Sequence, residues 1–237
     1  MILVIIAAGE GSRVRSLSSG KPKTLFPVNG KPLISHLLYN CSVVGITQVV
    51  VVTGYQHRVL ENYLLSGFGS LSIEIIHNPQ WKMANGVSVL TAKAAIPQGE
   101  PFILSMSDHY YESDLLKKVL DSDLAGDGAR VALDFNLDQI FDIDDAMKVT
   151  VDRLSRLKVT AMSKELDPYD AVDCGVFKCE YDFFNALEIA QKSGNCSLAD
   201  ACNILIKEGS MGGINIGDSF WLDLDTPEAW NHLATRR

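Results

Sequence analysis

Residues 7–27, AAGEGSRVRSLSSGKPKTLFP, follow directly on the apolar run ILVII (2–6) and hold four cations, Arg13, Arg15, Lys21 and Lys23, within eleven residues. Glu10 is the only nearby acid, and no further Asp or Glu occurs before Glu61, although the whole chain carries a formal net charge of −8. Two like charges about 6 Å apart repel by roughly 3 kcal/mol at an effective dielectric of 20. A rigid loop that crowds cations therefore calls for an anion. Pro22 and Pro27 fix the backbone around Lys23. The glycine turn ahead of them can aim amides at a phosphate, and each charge-assisted hydrogen bond returns about 1.5–3 kcal/mol. The loop reads as a phosphate site; the plainer alternative is a flexible, solvated basic loop.

Spacing narrows the kind of phosphate loop. A dinucleotide fingerprint needs a third glycine near position 14, where Val14 stands, and an acid about 20 residues on, which this region lacks. No Gly-Lys-Ser/Thr completes a P-loop. Polyphosphate chemistry needs Mg2+, which takes one or two protein carboxylates beside the phosphate oxygens. Asp108 ends the apolar run FILSMSD, and Asp223 and Asp225 in FWLDLDTPE alternate by two, which puts both on one face of an extended segment. These three are the candidate metal ligands. Their structural alternatives are a turn or helix cap for Asp108, and helix entry before Thr226 for the other two.

The stretch DFNLDQIFDIDD (134–145) sets Asp134, Asn136 and Asp138 at calcium-loop spacings. Gln139 stands where that loop needs glycine, and Asp145 where it needs a bidentate glutamate. It reads as a solvated loop. His109 either touches substrate or packs behind Asp108. No Ser-His-Asp arrangement stands out.

What must position these residues is an alternation of apolar, β-branched runs with helical periodicity. ILVII is followed by the helix-like PLISHLLYNCSVV (32–44), the run QVVVVTG (48–54), the helical HRVLENYLL (57–65), SIEIIHN (72–78), VSVLTAKAA (87–95), PFILSMSD (101–108) and DLLKKVLDS (114–122). That pattern predicts parallel strands buried on both faces and joined by right-handed crossovers, with ligands at the carboxyl ends of the strands. Beyond residue 130, RVALDF, MKVTV, RLKVTAM and AVDCGVFKC predict further strands with fewer helices between them. Helices follow at 181–192 and 197–208, the second with Ser197 and Asp200 as a capping pair, and a last one has Thr226 as N-cap and Pro227 at N1. The fold class is α/β: a Rossmann-like mixed, mainly parallel central sheet with flanking helices and a smaller β-rich, substrate-side subregion, in one domain spanning 1–237.

Composition supports a folded chain, with 47 % hydrophobic and 21 % charged residues. No apolar run approaches the roughly 20 residues that span a bilayer, and the start lacks a basic leader region, so a cytoplasmic protein without a membrane partner is expected. Overall acidity argues against nucleic acid. Cys41, Cys174, Cys179, Cys196 and Cys202 lack Cys-x-x-Cys spacing and read as reduced, buried small hydrophobes.

Taken together, AAGEGSRVRSLSSGKPKTLFPVNGKPLI, SMSDHYY and FWLDLDTPE resemble the amino-terminal signature, the metal-binding Asp motif and the carboxyl-terminal Trp-x-Asp motif of the sugar nucleotidyltransferases. The resemblance runs from residue 1 to about 230 and implies a GT-A-like nucleotidyltransferase fold, with 1–122 as the nucleotide-binding half and 123–237 as the acceptor-binding half. Within that family ANGVSVL (84–90), the histidine of SDHYY, VDCGVF (172–177) and Asp225 are most similar to the CTP:inositol-1-phosphate cytidylyltransferases. The amino-terminal motif is also similar to that of the short phosphocholine cytidylyltransferases. The resemblance implies that Ala7, Ala8, Gly9 and Gly11 meet the nucleotide through their backbone. Arg13 would hold the triphosphate, Lys23 would bridge the reacting phosphates, and Asn78 and Gly86 would read the base. Lys164, in Ser163-Lys164-Glu165 where the family has Glu-Lys-Pro, would hold the acceptor's phosphate beside Asp173 and Gly175.

The reaction so implied is attack of an acceptor phosphate oxygen on the α-phosphorus of CTP, with Mg2+ as cofactor and small molecules as the partners. The acceptor is already an anion near neutral pH and needs no general base. The alternatives are a sugar-1-phosphate acceptor with UTP, dTTP or GTP, a nucleotide-sugar-dependent glycosyltransferase, and a non-catalytic nucleotide sensor.

Overall fold

The first strand sorts its side chains by alternation: Val4 and Ile6 of β1 (Ile2–Ala7) enter one hydrophobic cluster, while Leu3, Ile5 and Ala7 enter another on the opposite face. The computed structural model describes residues 1–14 and 20–236, and Arg15 of the basic loop lies outside them. A short hairpin, β2 (Pro27–Val28) and β3 (Lys31–Pro32), leads into α1 (Leu33–Val44). Then come β4 (Gln48–Thr53), α2 (His57–Leu64) and β5 (Ser72–His77). The stretch 87–95 is helical: α3 (Asn85–Thr91) runs into a 3-10 turn (Ala92–Ala95) before β6 (Phe102–Met106).

β7 (His109–Tyr111) and α4 (Ser113–Asp121) complete the first half. The second half contributes β8 (Ala129–Asp134), β9 (Lys148–Asp152), β10 (Lys158–Ser163) and β11 (Ala171–Cys179). Two helices, α5 (Phe183–Lys192) and α6 (Leu198–Lys207), precede β12 (Met211–Asn215), β13 (Trp221–Asp223) and α7 (Pro227–Thr235). The capping box of Ser197 and Asp200 forms as expected, and Thr226 caps α7 with Pro227 at its first turn.

Among the described residues, nine strands make one sheet in the order β5-β4-β1-β6-β11-β8-β12-β10-β9. The first four pair in parallel. β11 then runs antiparallel between β6 and β8, β12 runs parallel to β8, and β10 and β9 are antiparallel. The expected parallel character thus holds for the strands separated by crossover helices and gives way where hairpins replace them. Cys41, Cys174, Cys179, Cys196 and Cys202 are all buried. Among the described residues no helix is long and apolar enough to cross a membrane.

Two features place the chemistry. β1 and β6 lie side by side, so the loops after Ala7 and Met106 leave the same sheet edge. A smaller cluster of Val14, Phe26, Leu33, Leu224 and Trp230 packs α7 against the segment after the basic loop. Phe26 and Trp230 have ring centroids 5.7 Å apart, and Trp230 Nε1 donates to Leu224 O at 2.8 Å. The carboxyl-terminal Asp motif is therefore fixed over the amino-terminal lysine.

Candidate active site

Lys23 opens a 3-10 turn (Lys23–Leu25) pinned by Leu25 N donating to Pro22 O and Phe26 N donating to Lys23 O, at 2.9 and 3.0 Å. Its side chain is only 6 % exposed. Gly11, at φ +62°, lies under it: a Cβ there would stand 2.9 Å from Lys23 Cβ. Glycine is thus what lets the lysine stem lie across the turn after β1.

The opposing wall comes from a two-stranded ribbon. β7 and β13 pair with His109 opposite Asp223, and Leu224 N donates to Asp108 O at 3.0 Å. This ribbon joins the two segments that carry the candidate metal ligands Asp108 and Asp223. His109 Nδ1 lies 3.0 Å from Asp108 Oδ1, and its ring stacks on Trp221 at 5.8 Å, whose Nε1 donates to Asp134 Oδ2 at 2.8 Å. Ligand atoms of Asp108, His109 and Asp223 lie within 4.8 Å of one another. Asp223 Oδ1 is buried without a hydrogen-bond partner, as is Thr24 Oγ1 beside Lys23.

Burial opposes the Asp108 carboxylate, but Lys23, 3.5 Å away, and His109 outweigh it and hold its pKa well below the ordinary range. Burial also opposes charge on His109, yet Asp223 and Asp108 raise that imidazole to about 9. Asp223 is pushed up to about 6 by burial, with His109 opposing and Asp108 and Asp225 adding to it. Asp173 is likewise raised to about 6 by burial, against the Gly175 N–H that donates to it at 2.7 Å. Asp173 projects from β11 where its register with β8 shifts, between Asp173 and Phe177.

A chain of ion pairs closes the rim. Arg13 binds Asp225 and, at 2.7 Å, Asp145; Asp145 binds Lys164 at 2.6 Å; and Asp225 also binds Lys23. Rim and wall enclose one cavity of about 640 Å³.

Of the expected residues, Ala8, Gly9, Gly11, Lys23, Asp108, Lys164, Asp173, Gly175, Asp223 and Asp225 line this cavity, and Arg13 holds two of its acids. Besides Arg13, three do not line it. Ala7 turns into the core beneath β1. Asn78 is 1 % exposed, donating to Ser88 Oγ at 3.0 Å and accepting from Gln80 N at 2.8 Å, so its polar atoms are spent on the turn before α3. Gly86 serves packing: a Cβ there would stand 2.5 Å from Cys196 O. Trp81, Asn85 and Ser88, close to both in the chain, do line the cavity. Asp225, expected as a third metal ligand, lines the cavity with its carboxylate bound by Arg13 and Lys23. The solvated-loop reading of 134–145 missed Asp145, and the acid-rich run itself was the available signal.

Comparison with known proteins agrees with this architecture. The "Bifunctional IPC transferase and DIPP synthase" of Aquifex aeolicus is 30 % identical over 95 % of the chain, which spans 49 % of that protein's length. The "UTP--glucose-1-phosphate uridylyltransferase AglF" of Haloferax volcanii is 27 % identical over 96 % of the chain and 93 % of its own length. Among solved structures, the inositol-1-phosphate CTP transferase from T. maritima superposes with a TM-score of 0.85 at 20 % identity, covering 98 % of this chain and 94 % of its own. Residues 3–138, which carry the glycine turn, Lys23 and Asp108, match the family model of the MobA-like NTP transferase domain, and the chain belongs to that family.

Proposed function

We propose that the chain transfers a cytidylyl group from CTP to inositol 1-phosphate, giving a CDP-alcohol and pyrophosphate, with Mg2+ held by Asp108 and Asp223. The observation that carries this reading is the buried, unpartnered Asp223 Oδ1, set near the Asp108 carboxylate in the cavity that also holds Lys23. A buried charged oxygen without a partner is unfavourable unless a cation fills the place, and a carboxylate pair open to phosphate oxygens is the donor set that Mg2+ takes. Bound there, Mg2+ supplies charge neutralisation at the phosphates.

The acceptor's phosphate oxygen forms a bond to the α-phosphorus as the bond to the β-phosphate oxygen breaks, and pyrophosphate leaves with that electron pair. Lys23 binds the reacting phosphates from its fixed turn, Arg13 binds the departing pyrophosphate, and Lys164 orients the acceptor's phosphate beside Asp173 and Gly175. These cations are paired with Asp225 and Asp145 in the ligand-free protein, and incoming phosphates exchange with those carboxylates. The basic loop thus positions two anions and lowers their mutual repulsion.

The choice of CTP and inositol 1-phosphate is supported by the names of the Aquifex relative and the T. maritima neighbour, together with ANGVSVL, His109 and VDCGVF. A second reading, uridylyl transfer to a sugar 1-phosphate, is favoured by the similarity to the Haloferax enzyme over most of its length. Pyrophosphate release with each nucleoside triphosphate and acceptor pair separates the two. We expect release with CTP and inositol 1-phosphate and its loss in EDTA. Release only with UTP and glucose 1-phosphate would establish the second reading, and a metal-independent rate would remove Asp108 and Asp223 as ligands.

A further inference from the structure

A second cluster of metal-binding side chains lies outside the cavity, at the carboxyl ends of β4 and β5. Parallel pairing sets Thr53, the last residue of β4, beside His77, the last of β5. The chain then turns through Gly54 and Gln56, the latter left-handed at φ 46°, and His57 opens α2 with Glu61 one turn on. Residues at i and i+4 share a helix face, and here that face looks at His77. The His57 and His77 rings lie with centroids 4.0 Å apart, tilted by 32° to one another. His57 Nδ1 lies 3.0 Å from Glu61 Oε1, and one ligand atom from each of the three residues lies within 4.8 Å of the others.

We propose that His57, Glu61 and His77 form a site for a divalent transition-metal ion, Zn2+ above all. A tetrahedral zinc ion with bonds near 2.0–2.1 Å sets its ligand atoms about 3.4 Å apart, so the three ligand atoms, now within 4.8 Å of one another, draw together on binding. Two imidazoles and one carboxylate favour zinc, nickel or copper over magnesium. The set thus differs in kind from the carboxylate pair of the cavity. A supporting shell is also present: Thr53 Oγ1, fully buried, donates to Glu61 Oε1 at 2.9 Å and orients it. Three protein ligands leave a fourth position for water.

The location gives the ion a purpose. β5 is an edge strand with no fully buried residue, its Ile73, Ile75 and Ile76 only partly buried against the core. The ion ties β5 to α2 across β4. It also braces the turn at residues 54–55, where Tyr55 N donates to Ala8 O at 2.9 Å and Tyr55 packs against Trp81, 5.5 Å away, on the cavity wall. The structure thus has a cross-link for a weak edge directly behind the nucleotide side of the cavity.

The test is calorimetric titration of Zn2+ into EDTA-stripped, dialysed protein, with excess Mg2+ present to compete at the Asp108–Asp223 pair. One Zn2+ per chain should bind and raise the unfolding temperature. Affinity should fall at least about tenfold in the His57→Gln/His77→Gln double variant and about tenfold in Thr53→Val, whose change reaches the ion only through Glu61. Mg2+-supported turnover of the double variant should stay at the wild-type level. Absence of saturable Zn2+ binding in the wild type, or equal affinity in the double variant, would overturn the proposal. X-ray absorption at the zinc edge of the wild-type protein reads the imidazole count without any variant; fewer than two per zinc would also overturn it.

Discussion

The rim and the floor of the cavity solve opposite electrostatic problems. On the rim three described cations each have a carboxylate: Arg13 and Lys164 share Asp145, and Arg13 and Lys23 share Asp225. Arg13, Lys164 and Asp145 have side chains 52, 45 and 41 % exposed, and exposed ion pairs contribute only about 0–1 kcal/mol. Exchanging them for phosphate is easy. On the floor, His109 satisfies one side of Asp108, but Asp223 keeps a buried oxygen with no partner. The rim is thus neutralised within the chain, whereas the floor is left short of a cation. Lys23 belongs to both, touching Asp225 on one side and Asp108 on the other.

The residues at that junction should show the largest effects. Lys23→Ala and Asp108→Asn should each lower turnover at least about a hundredfold, equivalent to about 2.7 kcal/mol of transition-state stabilisation, with the far-ultraviolet circular dichroism unchanged. Near-wild-type turnover in either variant would remove that residue from the chemistry.

Asp223→Asn and Asp225→Asn turn the comparison into a contrast of stabilities. Asp223→Asn should abolish most activity yet leave the metal-free protein as stable as wild type or more so, because it removes a charge with an unpaired buried oxygen. Asp225→Asn takes the close partner from a buried lysine and should destabilise the protein by about 1–3 kcal/mol. Chemical denaturation in EDTA measures both. Equal losses in the two variants would mean that floor and rim do not differ as described.

A smaller effect is expected at Asp145, where the carboxylate competes with substrate phosphate for Arg13 and Lys164. Asp145→Ala should lower the KM for the nucleoside triphosphate about two- to fivefold, in keeping with exposed pairs of up to about 1 kcal/mol. Its unfolding free energy should change by less than about 1 kcal/mol. A raised KM would show that Asp145 positions the cations instead of competing for them.

The same contrast explains how far the site was legible in the sequence. Arg13, Lys23, Asp108 and Asp223 sit in local patterns, a glycine turn, a proline-flanked lysine and acids closing apolar runs, and strand ends gather at one sheet edge whatever the intervening chain does. Ser197 with Asp200 and Thr226 with Pro227 were legible for the same reason, since helix caps are local. Asp145 was not. Its partner Arg13 is 132 residues away, and only the return of the loop after β8 brings them together. Asn78 and Gly86 lie near the expected edge but outside the cavity lining, where a side-chain hydrogen bond to Ser88 and the approach of Cys196 O engage them in local structure. Position along the chain located the edge; it could not say which side chains the packing there would use up.

The smallest expected effect is a pH slope in the stability of the metal-free protein. Asp173 and Asp223 are raised from 3.8 to about 6, and His109 from 6.5 to about 9. All three bind protons more tightly in the folded chain than in the unfolded one, so stability from these groups falls as pH rises. The carboxyl contributions are lost between about pH 4 and 6. That of His109 is fully present below about 6.5 and lost as pH passes 9. Asp108, held low, is ionised in both states above pH 5 and adds no slope there. Denaturation from pH 5 to 9 in EDTA, compared with His109→Gln, should show the wild type losing its advantage over the variant between pH 6.5 and 9. Asp173→Asn should flatten the lower part of the same range. A wild-type advantage over His109→Gln that grows with pH would mean that His109 is neutral on the floor, and the unpaired acid of Asp223 would then have no cation beside it other than Lys23.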